Sequence, residues 1–340
     1  MQDVKVFIVD DMLFVQKLFT KELSKIDGIQ VIGSACDPYE ARRSIVRDKP
    51  DVLILDVEMP KMDGLSFLQK LMEHFPIPTI MFSANSKKYT QYAIKAIRYG
   101  AFDFICKPEN DNDLHLIIQD LKQKIFEAAK VDIEKLVPST LVVDLHKTVG
   151  LNHNRFVAIG ASTGGTRAIE AILTRLPENF PGIVITQHMP AEFTSSFADS
   201  LNHCCKLYVK EAEDLEEITP GKVLIAPGNL HLKVVKKDGK FLCNLRTGPL
   251  IHYQRPAVDV LFSSIARISD DCIGVILTGM GKDGAQGLLS MKESGCLTIA
   301  QDEESSVVFG MPRAAIELKA VDKILSLKDI SFHLMKELEL

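Results

Sequence analysis

The sequence predicts an α/β protein with two doubly wound parallel-sheet domains. Apolar runs of strand length alternate with amphipathic runs of helix length from residue 4 to about residue 130, and a second such series starts near residue 155. This alternation favours parallel sheets with helices on both faces. The length of 340 residues exceeds what one ordinary hydrophobic core holds, which also favours two domains.

The first domain contains strand-like runs that are short, apolar and bounded by polar residues: VKVFIVD, QVIGSAC, DVLILDVEMP, TIMFSA and DFICKP. The runs between them carry apolar residues at helical spacing: MLFVQKLFTKELSKI, PYEARRSIVRD, LSFLQKLMEHF and KYTQYAIKAIRYG. A last helical run, DLHLIIQDLKQKIFEAAK, follows. We predict a domain over residues 1–122 and a linker over 123–153, where Pro138 and weak periodicity interrupt the pattern.

The second domain is predicted over residues 154–340. Its clearest strands are RFVAIGA, GIVITQH, GKVLIAPG, CIGVILTG and CLTIAQ. Its helical runs are GTRAIEAILTRL, EFTSSFADSLN, VDVLFSSIARI and AQGLLSMKESG. The run HLKVVKKDGKFLCNLRT predicts a β-hairpin that turns at Asp238-Gly239.

Composition restricts the partners and the compartment. The net charge of −5 argues against nucleic acid or an anionic membrane as the main partner. No apolar run reaches membrane-spanning length, and the start MQDVKVFIVDDM lacks the pattern of a signal peptide, so we expect a cytoplasmic protein without membrane insertion. The seven cysteines form no CxxC pair, which predicts unpaired thiols in a reducing compartment and no zinc site.

Acidic residues end two strands of the first domain. Asp10 and Asp11 end the first strand, and Asp56 ends the third. The carboxyl ends of parallel strands converge on one crevice, so these carboxylates are expected to face each other. Two unit charges about 4 Å apart repel by roughly 4 kcal/mol at an effective dielectric near 20. The cluster therefore favours a hard divalent cation such as Mg²⁺. Ser83 and Lys107 end the fourth and fifth strands and add a hydroxyl and a positive charge.

These residues on successive strands resemble the receiver domain of two-component response regulators, which has a flavodoxin-like fold. The resemblance implies that Asp56 accepts a phosphoryl group from a histidine kinase as a carboxylate nucleophile. It also implies that the acidic pair holds Mg²⁺ together with this aspartate. Ser83 and Lys107 would bond the phosphate, and Phe104 occupies the position of the aromatic switch residue.

The turn GASTGG in the second domain has three interpretations. As a phosphate cradle it lacks the lysine of a P-loop, and Ser162 replaces the middle glycine of G-x-G-x-x-G. The run GMGKDG is a better dinucleotide motif, and Asp302, Glu303 and Glu304 follow the next strand as candidate ribose-binding acids, so a nucleotide-dependent enzyme is one alternative. In the second interpretation the turn only connects a strand to a helix, which would fit a receiver-bearing adaptor with an inactive hydrolase fold.

The third interpretation is a nucleophile turn. GASTG matches G-x-S-x-G, in which a tight turn projects the serine from the carboxyl edge of the sheet. His188 follows the next strand and Asp283 follows a later one, which predicts that all three lie on one edge. His188 can then take the proton of Ser162, while Asp283 orients the imidazole and stabilises its cation. His231, in PGNLH, is an alternative base.

The runs IGASTGG, QHMP, APGN and ILTGMGKDGAQGL together resemble the catalytic domain of the protein-glutamate methylesterases of bacterial chemotaxis, a Rossmann-like α/β hydrolytic domain. The resemblance implies that Ser162 is the nucleophile, His188 the base and Asp283 the orienting acid. Thr163 would support the histidine, and the backbone N–H of Met280 would bind the oxyanion. The implied substrate is a γ-methyl glutamyl ester of a methyl-accepting chemoreceptor, with deamidation of receptor glutamines as a second activity and no cofactor for the esterase.

A phosphoryl-accepting domain fused to a hydrolase predicts switched catalysis. We expect the unphosphorylated first domain to cover the Ser162 crevice against a bulky protein substrate. Phosphorylation of Asp56 would weaken that contact through Ser83 and Phe104 by shifting a two-state equilibrium.

Overall fold

The computed structural model describes residues 3–83, 87–107, 111–136 and 155–338. The chain divides into an N-terminal unit, Met1–Ser139, and a C-terminal unit, Thr140–Leu340. Both units contain a parallel sheet with packed helices, which confirms the predicted α/β class. The predicted boundaries at residues 122 and 154 stay predictions: residue 122 falls within the helix Asp111–Ala128, and residues 137–154 lie outside the described part of the chain.

The N-terminal unit alternates strands and helices in the predicted order. They are β1 (Val4–Val9), α1 (Leu13–Leu23), β2 (Ile29–Ala35), α2 (Pro38–Asp48), β3 (Val52–Asp56), α3 (Gly64–His74), β4 (Thr79–Ser83), α4 (Lys87–Arg98), β5 (Asp103–Cys106) and α5 (Asp111–Ala128). A single 3-10 turn, Ile133–Leu136, follows α5. The sheet order is β2-β1-β3-β4-β5, and every strand pair is parallel. The order reverses at β1, so the carboxyl ends of β1 and β3 flank the crevice in which such sheets bind ligands.

Local sequence explains the ends of these elements. β3 is buried at every residue, as expected for a central strand covered on both faces. Asp37 begins α2 by accepting the backbone N–H groups of Tyr39 and Glu40, and Asp63 begins α3 by accepting that of Ser66. These two side chains therefore set the residues at which α2 and α3 begin.

The C-terminal unit continues the alternation with a larger sheet. Its elements are β6 (Val157–Ala161), α6 (Gly165–Leu173), β7 (Ile183–Gln187), α7 (Ala191–Asn202), β8 (Tyr208–Glu211), β9 (Lys222–Ile225), β10 (His231–Lys237), β11 (Lys240–Arg246), α8 (Val258–Ile265), β12 (Ile273–Ile276), α9 (Ala285–Glu293), β13 (Leu297–Gln301), α10 (Met311–Glu317), β14 (Lys323–Leu325) and α11 (Leu327–Glu337). The parallel sheet has the order β14-β13-β12-β6-β7-β9-β8. β10 and β11 form a separate antiparallel hairpin.

The predicted hairpin is confirmed, and its turn explains the register. Lys237 pairs with Lys240, so Asp238 and Gly239 form a two-residue turn. Both turn residues have positive φ, 52° and 78°, as a type I′ turn requires. The sequence patterns did not reveal β8, β14, α10 or α11, which lie at sheet edges or near the C-terminus.

β6 is the central strand of the C-terminal unit, between β12 and β7. A Cβ atom built on Gly160 of this strand would lie 2.2 Å from Cγ1 of Val258, the first residue of α8. The glycine therefore lets α8 pack directly against β6. None of the helices in the described residues combines the length and the apolar character that crossing a membrane requires.

We expect Gly160→Ala to lower the free energy of unfolding of the C-terminal unit by about 1–3 kcal/mol, because the added methyl overlaps Val258 in a close-packed core. Chemical denaturation followed by circular dichroism measures the change. Gly239→Asn is the control, since a Cβ built on Gly239 meets no atom within 4 Å beyond its chain neighbours and asparagine tolerates positive φ. A Gly160→Ala transition that coincides with the wild-type one would contradict this packing argument.

Candidate functional site

A buried histidine–carboxylate pair lies at the carboxyl edge of the C-terminal sheet. His188 follows β7 and Asp283 lies in the loop after β12; Nε2 of the histidine is 2.7 Å from Oδ2 of the aspartate. Their side chains are 6% and 2% exposed. Oδ2 also accepts the backbone N–H of Val258 at 2.7 Å, and Oδ1 accepts that of Asp259 at 2.9 Å. The backbone N–H groups in the first turn of a helix have no partner within the helix, and here the carboxylate accepts two of them. Together with Nε2 of His188, three donors hold the carboxylate of Asp283.

This arrangement keeps Asp283 charged. Burial alone would raise the pKa of this carboxyl group, but the hydrogen bond and charge of His188 and the two backbone N–H groups lower the pKa below its usual value. A charged carboxylate in this position stabilises a positive imidazole when the ring takes up a proton. Because Nε2 faces Asp283, Nδ1 is the ring nitrogen that remains for a reacting group.

Ser162 lies on the same edge, directly after β6. Its backbone N–H donates to the carbonyl of Thr278 at 3.1 Å, and the backbone N–H of His188 donates to the carbonyl of Ala161 at 3.0 Å. The absent side chain of Gly279 permits this approach, since a Cβ there would lie 2.7 Å from Cβ of Ser162. Within residues 155–338, Oγ of Ser162 has no hydrogen-bond partner. The structure therefore ties the serine turn to both neighbouring loops and leaves the hydroxyl unengaged.

Gln187 links the serine and histidine turns, and the sequence analysis missed it. Its Nε2 donates to the carbonyl oxygens of Ser162 and His188, both at 3.0 Å, and the side chain is buried. Gly165 makes room for this amide, because a Cβ there would lie 2.2 Å from Oε1. The available signal was a glutamine at the end of a short, mostly apolar strand that is buried at every residue.

Thr278 braces the turn from the other side. Its hydroxyl donates to the carbonyl of Thr163 at 3.0 Å and accepts the backbone N–H of Val308 at 2.9 Å. Thr163 is itself buried on the serine turn. Its predicted support of His188 stays a prediction.

The loop GMGKDG carries the predicted oxyanion donor. The carbonyl of Gly279 accepts the backbone N–H groups of Gly310 and Met311 at 3.1 and 2.9 Å, which braces the start of the loop. Gly281 has φ of 77°, a conformation that favours glycine. In the described residues the backbone N–H of Met280 has no acceptor. It is therefore available to a ligand, as the predicted role requires.

The structure disfavours two of the alternatives. His231 is buried, its Nε2 lies 2.9 Å from the carbonyl of Pro249, and its Nδ1 faces the backbone N–H of Ala257, so neither ring nitrogen is left for base catalysis. Asp302, one of the three candidate ribose-binding acids, accepts the backbone N–H and hydroxyl of Ser305 at 2.9 and 2.6 Å. Its carboxylate thus closes a local turn.

A second polar cluster lies at the carboxyl edge of the N-terminal sheet. Nζ of Lys107 is 2.8 Å from Oδ2 of Asp10 and 2.7 Å from Oδ2 of Asp56, and both carboxylates are buried. Asp11 is exposed beside them, and one oxygen from each of the three acids lies within 4.8 Å of the others. Three carboxylate oxygens at this spacing fit Mg²⁺, which prefers oxygen ligands.

Burial raises the pKa of Asp56 to about 6, against the lowering effect of Lys107 and with a further raising effect from the charge of Asp10. Its Oδ1 accepts one weak backbone bond, from Glu58 at 3.3 Å. The charged form of Asp56 is therefore costly in the folded protein, and a bound cation would offset that cost.

The switch candidates lie on the neighbouring strands. Phe104 is buried on β5, and its carbonyl accepts Nζ of Lys124 at 2.9 Å. Ser83 ends β4 and pairs in register with Cys106, but its side chain lies outside the described part of the structure. The roles of both residues stay predictions.

Two family models match the segments of the chain that carry these two clusters. The family model described as "CheB methylesterase" matches residues 157–334, and the model described as "Response regulator receiver domain" matches residues 6–119. Each match contains the corresponding cluster: the first includes the serine, histidine and aspartate turns, and the second includes the buried acids and Lys107.

Curated proteins match over the whole chain. A "Protein-glutamate methylesterase/protein-glutamine glutaminase 2" of Syntrophus aciditrophicus is 46% identical, over 99% of this chain and 99% of that protein. A protein-glutamate methylesterase/protein-glutamine glutaminase of Bdellovibrio bacteriovorus is 42% identical, over 99% and 98%. The crystal structure of the Thermotoga maritima CheB methylesterase catalytic domain is 45% identical with a TM-score of 0.52, covering 53% of this chain and 97% of that one.

We expect Asp56→Asn to raise the free energy of unfolding of the N-terminal unit by about 1–3 kcal/mol at pH 7.5. The folded pKa of Asp56 is raised from 3.8 to about 6, so the folded state binds the proton more tightly than the unfolded state. Wild-type stability therefore falls as pH rises between these values, and the gain from Asp56→Asn should vanish below about pH 4.

Denaturation curves at several pH values measure this difference. Glu73→Gln, which removes an exposed acid on α3, is the charge-matched control. Millimolar Mg²⁺ should stabilise the wild type more than Asp56→Asn, because a ligand that binds only the folded state adds stability. Equal stability of wild type and Asp56→Asn at pH 7.5 would show that burial does not raise the free energy of the charged carboxylate in the folded protein.

Proposed function

Since the chain belongs to the CheB methylesterase family and carries a response-regulator receiver domain, we propose that it is a phosphorylation-activated protein-glutamate methylesterase. It hydrolyses γ-methyl glutamyl esters of methyl-accepting chemoreceptors to glutamate and methanol, in adaptation during chemotaxis. The observation that carries the proposal is the buried bond between His188 and Asp283 on the same sheet edge as the unengaged hydroxyl of Ser162.

In the first half-reaction Ser162 attacks the ester carbonyl. Oγ forms a bond to the carbonyl carbon while its proton passes to Nδ1 of His188, and the charge of Asp283 stabilises the imidazolium that results. The tetrahedral intermediate then expels methoxide, which receives the proton from His188 and leaves as methanol. An acyl-enzyme at Ser162 remains.

In the second half-reaction water replaces the alcohol. His188 takes a proton from the water, the hydroxide adds to the acyl carbon, and collapse of the intermediate returns the proton to Oγ of Ser162 with release of glutamate. The backbone N–H of Met280 donates to the oxyanion in both steps. Removing one donor of this kind typically costs about 3 kcal/mol in activation free energy.

The same chemistry supports deamidation of receptor glutamines. A glutamine amide passes through an equivalent tetrahedral intermediate, and the proton on His188 goes to the leaving ammonia. The names of the relatives, which include protein-glutamine glutaminase, support this second activity.

The receiver unit supplies the switch. Asp56 accepts the phosphoryl group from a chemotaxis histidine kinase, and Lys107, which contacts this carboxylate, pairs with the added charge. Asp10, Asp11 and Asp56 would hold Mg²⁺, which neutralises charge on the phosphoryl oxygens when bound. Ser83 and Phe104 transmit the change. The protein acts in the cytoplasm, without nucleic acid and without insertion into the membrane.

We expect Ser162→Ala to lower the rate of methanol release from methylated receptor membranes by at least about 10³-fold, because no other group replaces the nucleophile. Asp283→Asn should lower kcat by roughly 10²- to 10⁴-fold, because the neutral amide does not stabilise the imidazolium. Ser290→Ala on α9 is the matched control. A drop of only a few-fold for Ser162→Ala would exclude it as the nucleophile.

Phosphorylation should raise the esterase activity of the full chain. With acetyl phosphate as donor and Mg²⁺ present, we expect kcat/KM to rise about 5- to 100-fold, the range of ordinary coupling free energies. Chelation of Mg²⁺ or Asp56→Asn should abolish the rise and leave the basal rate in place. Equal activation of Asp56→Asn would place the phosphoryl acceptor elsewhere.

A further inference from the structure

A cleft of about 240 Å³ lies between the β10–β11 hairpin and the segment that leads to α8. Its walls include His231, Lys233, Arg246, Gly248 and Val260. His231 pairs directly with Arg246 across the hairpin, and Lys233 lies two residues further along β10, so these three side chains project from one face of the hairpin. The opposite face carries the buried apolar residues of the hairpin.

Two cations line the cleft, and one of them has a carboxylate partner. Lys233 is exposed and makes no ion pair within residues 155–338. The guanidinium of Arg246 is half-exposed and lies 3.5 Å from Oδ2 of Asp214. Behind the wall, Nη1 of Arg255 donates to the carbonyl of Gly248 at 2.6 Å. Nε of this arginine is buried without a partner, and no carboxylate among the described residues pairs with it.

This local positive charge is opposite in sign to the net charge of the whole chain, which is −5. Of these cations only Arg255 is partly buried without a counter-charge among the described residues, and a cation in that position loses hydration that no carboxylate there offsets. An anion in the cleft would restore it, and a carboxylate matches the guanidinium fork and the lysine ammonium in charge and geometry.

The cleft adjoins the catalytic edge. The backbone N–H of Ala257 points to Nδ1 of His231 at 3.3 Å, and the next N–H, that of Val258, donates to Oδ2 of Asp283 at 2.7 Å. Consecutive donors at the start of α8 thus hold the cleft wall and the catalytic carboxylate. The cleft wall is therefore adjacent to the segment that holds the catalytic carboxylate.

We propose that this cleft binds an acidic side chain of the same polypeptide that carries the reacting glutamyl ester. The inference rests on the proposed function in one respect, that the ester is part of a polypeptide. Lys233 and Arg246 are the ligands at the opening of the cleft, and Arg255 adds positive charge from behind Gly248. The cleft therefore selects esters with acidic neighbours.

Direct binding to the full chain with Ser162→Ala tests the proposal without turnover. Two fluorescent peptides share one sequence with a central γ-methyl glutamyl ester, and differ in having glutamate or glutamine at the flanking positions. We expect the glutamate peptide to bind at least about 5-fold more tightly by fluorescence anisotropy. The preference should disappear in the Lys233→Ala, Arg246→Ala double variant, and added salt should weaken it.

Lys237→Ala is the matched control. Lys237 lies on the same face of β10 as Lys233, four residues further along, which is about 13 Å at the rise of an extended strand. This variant should retain the preference for the glutamate peptide. Thermal unfolding should show that the exposed substitutions leave the fold intact.

Equal binding of the two peptides to the Ser162→Ala chain would overturn the proposal, as would equal loss of affinity for both peptides in the double variant. Displacement of the glutamate peptide from this cleft by micromolar inorganic phosphate or a short single-stranded oligonucleotide would also overturn it, in favour of a phosphate site. With Ser162 restored, the double variant should raise KM for the glutamate peptide and leave kcat unchanged. If the wild type released no methanol from either peptide or from methylated receptor membranes, the proposed function would fail. The binding preference for the glutamate peptide would still show whether the cleft binds an acidic side chain.

Discussion

The buried carboxylate of Asp283 depends on the start of α8, and the catalytic edge depends on that contact. Two backbone N–H groups of α8 and one imidazole N–H satisfy a charge that is only 2% exposed. Removing one partner of a buried ion pair typically costs about 3–5 kcal/mol. The helix reaches this position because two glycines face Val258: a Cβ on Gly160 or Gly284 would lie 2.2 or 2.5 Å from its Cγ1. The packing of Val258 against these glycines therefore also sets the position of the backbone donors that stabilise the charge of Asp283.

The two aspartates at the functional edges of the two sheets show how hydrogen-bond donors set the state of a buried acid. Three donors outweigh burial at Asp283 and lower its pKa, whereas burial outweighs Lys107 and one weak backbone bond at Asp56 and raises its pKa to about 6. The first acid is suited to remain a stable counter-charge. The second is suited to change partners, since a cation or a phosphoryl group relieves a cost that the folded protein carries. The same residue type thus serves two roles through its surroundings.

The cleft at the hairpin carries two cations, Lys233 and Arg246, on a wall that adjoins the segment holding the catalytic carboxylate. Arg246 lies 3.5 Å from a carboxylate oxygen of Asp214, Lys233 makes no ion pair among the described residues, and the chain as a whole carries a net charge of −5. A surface of this kind discriminates among polypeptides by the residues that flank the ester, and leaves the chemistry of the ester to the serine turn. Recognition and reaction then occupy adjacent segments joined by the first turn of α8.

Much of the fold could be predicted from the sequence because local sequence patterns indicate its strands, helices and turns. Buried central strands such as β3 and β6 are continuous apolar runs, and the DG turn of the hairpin is a short-range signal. The edge strands β8 and β14 were missed because they are short and lack a fully buried face. The family was identified from the sequence as well, and the comparisons confirm it.

The sequence by itself determined that Ser162, His188 and Asp283 follow strands of one parallel sheet, because strand ends are readable along the chain. Only the tertiary structure decided which atoms meet: that Nε2 of the histidine faces the aspartate, that Gln187 ties two turns together, and that both nitrogens of His231 are occupied. The physical reason is that hydrogen bonds depend on distances and directions of about an ångström and a few tens of degrees. Such distances are set by the packing of segments that lie far apart in the chain.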